Sequence, residues 1–358
     1  MKPLHSSNAA HGQHRPIRTK RRHQGGLTLI ELLVALLLSS FIAIAAISSL
    51  IVARRGFSTV DAASQLRDNG RFASELIQRI VSQAGFLDVD NAVNAKNNNI
   101  DVDGATAAPP FVIGFNNAVF NLSPSVAPLP TNTALNGNRT ASTGGCSTST
   151  DTACVNGSDI LVLRYQTPPK NIGSTVGDGT TINCAGITQT AAGTSSSDLT
   201  VSVFHVQVNN GEPSLMCSYQ AANGSWVTTP QALIPGVESF QVLYGVFDVE
   251  AGTASAADPD YDKPPNRYLR ADQMVVSGNA AGTAQNWRRV RSIRIGMVLR
   301  GPANSAQDSG SGLIYFPLGS AMVPATATDD PGARFAPAAD GRLRQTVTFT
   351  VALRNLQL

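Results

Sequence analysis

One acidic side chain, Glu31, lies within an otherwise uncharged and mostly apolar segment that runs from Leu27 to Val52. A charged carboxyl group at the centre of a membrane span costs about 2.5–3.5 kcal/mol on insertion scales. Such a group is by default functional, and it requires a cationic or hydrogen-bonding partner. Gly25-Gly26 precede the segment and Arg54-Arg55 close it.

The charge of the chain changes sign across this segment. Residues 1–26 contain six Lys or Arg residues and no acid, so the net charge of +3 for the whole chain leaves −3 for the remainder. A generally basic, nucleic-acid-coating protein is therefore excluded. Because cationic loops remain in the cytoplasm, the leader predicts a cytoplasmic N-terminus and places the residues after Arg55 on the opposite side.

The apolar segment is long enough to cross a bilayer. As a helix, its 26 residues extend about 39 Å, whereas a hydrocarbon core of about 30 Å requires roughly 20 residues. A cleaved secretory signal would have a shorter apolar region and a small-residue cleavage site, which the sequence before Arg54 does not show. A plain signal anchor explains the topology but does not explain Glu31.

Four cysteines, Cys146, Cys154, Cys184 and Cys217, all follow the apolar segment. An even number in an exported region predicts two disulfides. Proximity in sequence favours the pairs Cys146–Cys154 and Cys184–Cys217, although four cysteines permit three pairings. No C-x₂-C spacing occurs, so the cysteines do not suggest a metal site, and we expect no cofactor.

No residue pattern predicts catalysis. His205 is the only histidine beyond the leader, and its Val-Phe-His-Val context is typical of a structural histidine in a strand. No G-x-S-x-G motif supplies a nucleophile for it. Residues 99–104 are similar to the start of a calcium loop, but Pro110 stands where the bidentate glutamate should be. We therefore expect no catalytic residue, no metal and no enzyme activity.

An amphipathic helix is predicted to continue beyond the membrane segment. Phe72, Leu76 and Ile80 recur every four residues, with charged side chains between them. The pattern predicts a helix from about Leu27 to Ala84, with Gly70 as a candidate break and Gly85 as a stop.

The remainder predicts an α+β head, a mainly antiparallel sheet packed on the helix, because strand patterns follow one another with few helices between them. The expected strands are Asp159–Tyr165, Leu199–Val208, Leu215–Tyr219, Val237–Phe247, the run with Ile293, Ile295, Met297 and Leu299, and Thr346–Leu353. Long polar loops are expected at about 88–157, 168–198, 250–286 and 301–342. Four arginines, Arg288, Arg289, Arg291 and Arg294, predict a solvated sheet face or a subunit contact.

The sequence Gly26-Leu27-Thr28-Leu29-Ile30-Glu31-Leu32 resembles the processing motif of type IV prepilins and type II secretion pseudopilins. The stretch from Leu66 to Ala73 and the four stretches 158–165, 236–248, 287–300 and 346–355 resemble the PilW branch of minor pilins. Two residues depart from the common pattern: Leu27 replaces phenylalanine, and Ser48 replaces the proline of many major pilins. The second departure argues against the main fibre subunit.

The resemblance implies that a prepilin peptidase cuts between Gly26 and Leu27 and that Leu27 is N-methylated. It implies that Glu31 pairs with the N-terminal amine of a neighbouring subunit and sets the assembly register. The predicted organisation is a leader at 1–26, a transmembrane half-helix at 27–52, an amphipathic half-helix at 53–86 and a periplasmic head at 87–358.

The resemblance further implies an inner-membrane protein that primes pilus assembly and enters the fibre near its tip. The implied partners are the peptidase, other minor pilins, the major pilin, the inner-membrane assembly platform and a large adhesin at the tip. Two alternatives stay open: a minor pseudopilin of type II secretion, and a membrane-anchored periplasmic binding module or tip adhesin.

Overall fold

The computed structural model describes residues 26–88, 110–118, 156–193, 198–255, 263–306, 312–322 and 332–355. Within these ranges the elements are α1 (Leu29–Val81), β1 (Val112–Phe115), β2 (Ile160–Gln166), β3 (Leu199–Asn209), β4 (Glu212–Tyr219), β5 (Gln231–Pro235), β6 (Val237–Val246), β7 (Arg267–Leu269), α2 (Ala280–Arg288), β8 (Val290–Arg300) and β9 (Arg344–Ala352). The leader, Cys146, Cys154 and the calcium-like segment at 99–104 lie outside the described residues.

The strands form two antiparallel sheets. The first sheet has the order β1-β2-β3-β4-β5 and the second has the order β7-β6-β8-β9. The predicted α+β class is confirmed, since one long helix precedes two sheets in which every pair of described strands is antiparallel. Each predicted strand is present, with bounds that differ by a few residues.

Alternation of apolar and polar residues accounts for strands β8 and β9 of the second sheet. Ile293, Ile295, Met297 and Leu299 of β8 are fully buried on one face. In β9, alternate apolar side chains pack against the same core. A period of two places such residues on one face of a strand, so the pattern selects the buried face without further information.

The chain divides into two compact units at Arg54 and Arg55. In the first unit, the apolar side chains of α1 are exposed, and α1 is the one helix among the described residues that is long and apolar enough to cross a membrane. In the second unit, α1 buries one stripe of side chains: Ala62, Leu66, Gly70, Ala73, Ile77, Ile80 and Val81. These positions recur every three or four residues, which is the spacing of one helix face.

Two predictions about α1 were inexact. The helix ends at Val81, three residues before the predicted Ala84, and residues 82–85 form turns. The candidate break at Gly70 is absent, because Gly70 lies within the continuous helix on the buried stripe. The helix continues there because packing against the head outweighs the propensity cost of one glycine, which is roughly 0.5–1 kcal/mol.

The predicted polar loops contain several elements that the sequence did not indicate, namely β1, β7 and α2. In α2, Trp287 is fully buried and packs edge-on against Tyr244, with ring centroids 4.7 Å apart. The side chain of Asn279 accepts a hydrogen bond from the Gly282 amide and caps this helix. One buried aromatic residue and a capping residue therefore stabilise a helix of weak periodicity.

The predicted solvated arginine cluster was wrong for three of its four members. Arg288, Arg289 and Arg291 are buried where α2 joins β8, and Arg294 is half-buried. Arg291 donates to the carbonyl of Arg288, and Arg294 donates to the carbonyl of Leu318. The three buried arginines therefore form neither an exposed face nor a contact surface.

Candidate assembly and processing site

The residues expected at the cleavage site form the open start of α1. Gly26 and Leu27 precede the helix, and a Cβ atom placed on Gly26 would meet nothing within 4 Å. The side chain of Leu27 is 77% exposed. A peptidase needs accessible backbone, and Gly26 and Leu27 are accessible.

Thr28 and Glu31 form a reciprocal cap at the first turn of α1. The backbone amide and the hydroxyl of Thr28 each donate to Oε2 of Glu31 at 2.9 Å. The amide of Glu31 in turn donates to the hydroxyl of Thr28 at 3.4 Å. This is a capping box, which satisfies helix N–H groups that have no partner within the helix. The acid of the apolar segment thus has a structural role within its own chain.

The cap holds the Glu31 carboxylate against Thr28, the second residue after the expected cleavage site. Both donors from Thr28 use Oε2, and no described residue donates to Oε1. Leu27 is adjacent to Thr28 in sequence, so a new amine on Leu27 would arise one residue before the Thr28 amide that donates to the carboxylate. A carboxylate at a helix N-terminus is also favoured by the helix dipole.

The apolar half of α1 has its few polar side chains satisfied within the helix. The hydroxyl of Ser39 donates to the carbonyl of Leu36, and that of Ser40 donates to the carbonyl of Leu37. The large apolar side chains from Leu29 to Val52 are all exposed in the single chain. An exposed apolar surface of this extent requires a lipid or protein environment.

The amphipathic half of α1 approaches the second sheet most closely at Gly70. A Cβ atom on Gly70 would lie 2.7 Å from Cγ2 of Val347 in β9. Glycine therefore permits this helix–sheet distance, in the way that small residues permit close packing elsewhere. The sequence analysis treated Gly70 as a break. The one signal for its packing role was its spacing, four residues after Leu66 and three before Ala73, which places it on the same helix face.

The C-terminal end of α1 is fixed by residues from distant parts of the chain. Asn355 donates from Nδ2 to the carbonyls of Ser82 and Ala84, at 3.3 and 3.2 Å. The side-chain amide of Gln83 exchanges two hydrogen bonds with the backbone of Ile182. These contacts involve the turn that follows Val81, and they attach the end of the helix to the head.

A disulfide joins Cys184 to Cys217 and thereby attaches the polar loop after β2 to strand β4. This confirms the second of the two pairs favoured by proximity. The amide of Cys184 also donates to the hydroxyl of Ser202 in β3, at 3.0 Å. The disulfide and this hydrogen bond both help to hold the loop on the first sheet.

His205 lies in the interior of the first sheet, with 1% of its surface exposed. Its Nε2 atom lies 3.0 Å from the hydroxyl of Ser218. Burial lowers the pKa of His205 to about 3, so the imidazole is neutral near pH 7. The histidine occupies the structural position predicted for it, and its lack of solvent contact makes it unsuited to proton transfer with a substrate.

A charge network that sequence reasoning missed joins the two sheets. Glu238 of β6 is 4% exposed and accepts two hydrogen bonds from Arg344 of β9, at 2.6 and 3.0 Å. Glu238 also accepts one from Arg300, which bonds through two nitrogens to Glu212 of the first sheet. Asp340 makes two further bonds to Arg344.

Asp159 makes a second connection between the sheets. Its carboxylate accepts from the amide of Asn117 at 2.8 Å and from the amide of Val242 in β6 at 2.7 Å. The sequence places Asp159 at the start of a strand but gives no signal for these partners, because they lie far away along the chain. Glu238 and Asp159 are therefore structural residues that only the tertiary structure identifies.

Two family models match parts of this chain. Residues 203–355 match the family model described as Type IV Pilus-assembly protein W. Residues 21–47 match the model of the prokaryotic N-terminal methylation motif. No curated protein matches the chain. One solved structure, a type IV-like pilin from Thermus thermophilus, aligns over 56% of this chain and 80% of its own, with 18% identity and a TM-score of 0.26.

Proposed function

We propose that the chain is a type IV pilin of the PilW type that acts as a minor pilin and primes pilus assembly. The motif and the long apolar helix fit a membrane-anchored subunit that later enters the fibre. We propose further that it lies near the pilus tip. Packing, and not a catalysed reaction, would be its mechanism.

One observation carries the proposal: α1 is a single helix whose first half exposes its apolar side chains and whose second half is built into the core of a head. An apolar helix of this kind can leave the lipid only for another environment that buries it, such as a bundle of similar helices. The backbone of α1 is continuous between that apolar half and the head.

Processing is proposed at the bond between Gly26 and Leu27, with removal of residues 1–26 and N-methylation of Leu27. The open backbone before α1 supports this assignment. Cleavage would remove the six basic residues and create an amine beside the capped Glu31. Residues 27–52 would stay in the inner membrane, with the head in the periplasm.

Glu31 is proposed to bind the methylated amine of a neighbouring subunit. The capping box supports this role because it orients the carboxylate and leaves Oε1 without a donor among the described residues. A charge-assisted bond gains strength in an apolar bundle, where the effective dielectric constant is low. Only one axial offset between subunits would satisfy both charges, so the pair would set the register.

The partners proposed are the prepilin peptidase, other minor pilins, the major pilin, the inner-membrane assembly platform and an adhesin at the tip. The same N-terminal physics would serve a minor pseudopilin of a type II secretion system. Deletion of the chain separates these functions: loss of surface pili and twitching supports the pilin, whereas loss of exoprotein release with normal pili supports the pseudopilin.

Intact-mass measurement of the membrane-extracted protein tests the processing step. We expect a chain that begins at Leu27 and carries one N-methyl group. Gly26→Ala should leave the uncut precursor and few pili, whereas Gly56→Ala, at another open glycine of the same segment, should be processed normally. A native chain that begins at any other residue would contradict the assignment.

A further inference from the structure

The free edge of the second sheet is long and uncharged. Strand β9 is the last strand of that sheet, and among the described residues it pairs only with β8. Residues 345–352 read Gln-Thr-Val-Thr-Phe-Thr-Val-Ala and contain no charge and no proline. At about 3.4 Å per residue, the nine residues of β9 present roughly 30 Å of edge.

The other three edges of the two sheets are protected. Strands β1 and β7 have four and three residues. Strand β5 has five residues, includes Pro235, and pairs with β4 through a register shift. Short strands, proline and bulges are the usual means by which proteins prevent edge-to-edge pairing. Strand β9 lacks all of these features, which suggests that its edge is reserved for a partner.

One face of β9 packs against the core and the other faces outward. A new strand would therefore pair with the edge of β9 and not with either face. Val347, Phe349 and Val351 pack against the core. Thr348 donates from its hydroxyl to the carbonyl of Pro317, while Thr350 stays exposed. An added strand would continue the sheet through backbone hydrogen bonds and would need no rearrangement of either face.

We propose that the β9 edge binds an uncharged strand of another pilin-type subunit and extends the second sheet by β-augmentation. This inference rests on the proposed function, which places other pilin heads beside this one. The partner strand is expected to be uncharged because residues 345–352 offer no charge to pair with it. Isolated charges next to such an edge would be desolvated without compensation.

A second copy of this chain does not fit as the occupant. Two β9 strands paired antiparallel are related by a twofold axis normal to the sheet. Gly70 of α1 packs against Val347 of β9, and Asn355, just after β9, donates to the carbonyls of Ser82 and Ala84, just after α1. The part of α1 from Gly70 onward therefore runs along β9 and is perpendicular to that axis. The twofold would reverse the direction of α1 in the second copy, whereas the helices of the proposed bundle all run in one direction.

Photo-crosslinking tests the partner directly. A benzoylphenylalanine residue replaces Thr350 of β9 in the full-length chain, and the matched control replaces Ala232, which is exposed on the opposite edge strand β5. We expect Thr350 to form an adduct with a strand of a different subunit that carries the methylation motif. The inference is overturned if the adduct joins Thr350 to its own chain, to a second copy or to another class of protein, or if none forms.

A charge on the edge tests the consequence. Thr350→Lys should reduce co-purification of the partner pilin and the number of pili roughly tenfold, whereas Ala232→Lys should not. Thr350→Val, which adds no charge, should leave co-purification and the number of pili at the wild-type level. If Thr350→Lys lowers the melting temperature of the head, Ala352→Lys replaces it as the exposed edge variant. Normal co-purification with a correctly folded lysine variant would overturn the inference.

The failure of this inference differs from the failure of the proposed function. If the function is wrong, deletion of the chain leaves pili unchanged and the precursor is not cut at Gly26. If only the edge proposal is wrong, deletion abolishes pili while both edge variants behave as the wild type does. The crosslinked peptide identifies the occupant in either case.

Discussion

Gly70 of the long helix and Val347 of the last strand approach so closely that no side chain larger than hydrogen fits between them, because a Cβ on Gly70 would lie 2.7 Å from Cγ2 of Val347. The contact joins the N-terminal helix to a strand near the other end of the chain. It sets the distance at which the helix lies on the second sheet.

Gly70→Ala is expected to destabilise the head by about 1–3 kcal/mol, which is the usual cost of overpacking, despite a gain of about 0.5–1 kcal/mol in helix propensity. Denaturant unfolding of the detergent-solubilised protein measures the difference. Gly56→Ala is the control, since that glycine faces open space and the substitution should be neutral or stabilising. Adding Val347→Ala to Gly70→Ala should recover part of the loss, and an unchanged loss would contradict the contact.

Asn355→Ala should lower stability by about 1–2 kcal/mol, because the substitution removes two hydrogen bonds to the carbonyls of Ser82 and Ala84. Hydrogen exchange should quicken in the last turn of α1 before it changes in β8. The neighbouring exposed Arg354→Ala serves as the control. Equal exchange rates in both variants would show that Asn355 does not fix the helix end.

His205 should make stability depend on pH between about 6.5 and 3. Burial lowers the pKa of His205 from 6.5 to about 3, so the unfolded chain takes up a proton in this range while the folded chain does not. Stability is therefore fully present above pH 6.5 and falls with decreasing pH, by an amount on the order of 4 kcal/mol in total. After the proposed cleavage no other histidine remains, so the part of the effect between pH 6.5 and 4.5 is expected from His205.

His205→Gln keeps a polar group near Ser218 and should flatten the stability profile between pH 6.5 and 4.5. Thermal unfolding at a series of pH values measures both profiles. The wild-type chain is the reference. Asp340 makes a separate contribution to the pH dependence of stability, at lower pH. Hydrogen bonds from Arg344 lower the pKa of Asp340 below its usual 3.8, so its contribution is lost only as pH falls through that lowered value. A parallel pair of profiles would refute the histidine assignment.

Glu238→Ala is expected to cost about 3–5 kcal/mol, because it leaves Arg344 and Arg300 without the buried carboxylate that they share. Glu75→Ala is the control: its pair with Arg71 is exposed on α1 and should contribute less than about 1 kcal/mol. Urea unfolding distinguishes the two. Equal losses would mean that the Glu238 network does not hold the sheets together.

Local patterns in the sequence predicted much of this molecule. The order Gly26, Leu27, Thr28 and Glu31 marks the processing motif, and the residues 21–47 around it match the methylation model. Alternation with a period of two predicted the main strands. A period near four predicted an amphipathic helix, but of Phe72, Leu76 and Ile80 only Ile80 lies on the buried stripe, and Phe72 is exposed. These signals need only neighbours in sequence, because helix and strand geometry convert spacing directly into a shared face.

Tertiary structure alone decided what joins these elements. Asn355 and Ser82 are 273 residues apart, and Arg344 and Glu238 are 106 apart. Gly70 was predicted as a break in the helix and is a close-packing residue. Arg288, Arg289 and Arg291 were predicted on the surface and are buried. A side chain's burial and partners depend on which distant segment folds against it, and no local spacing encodes that choice.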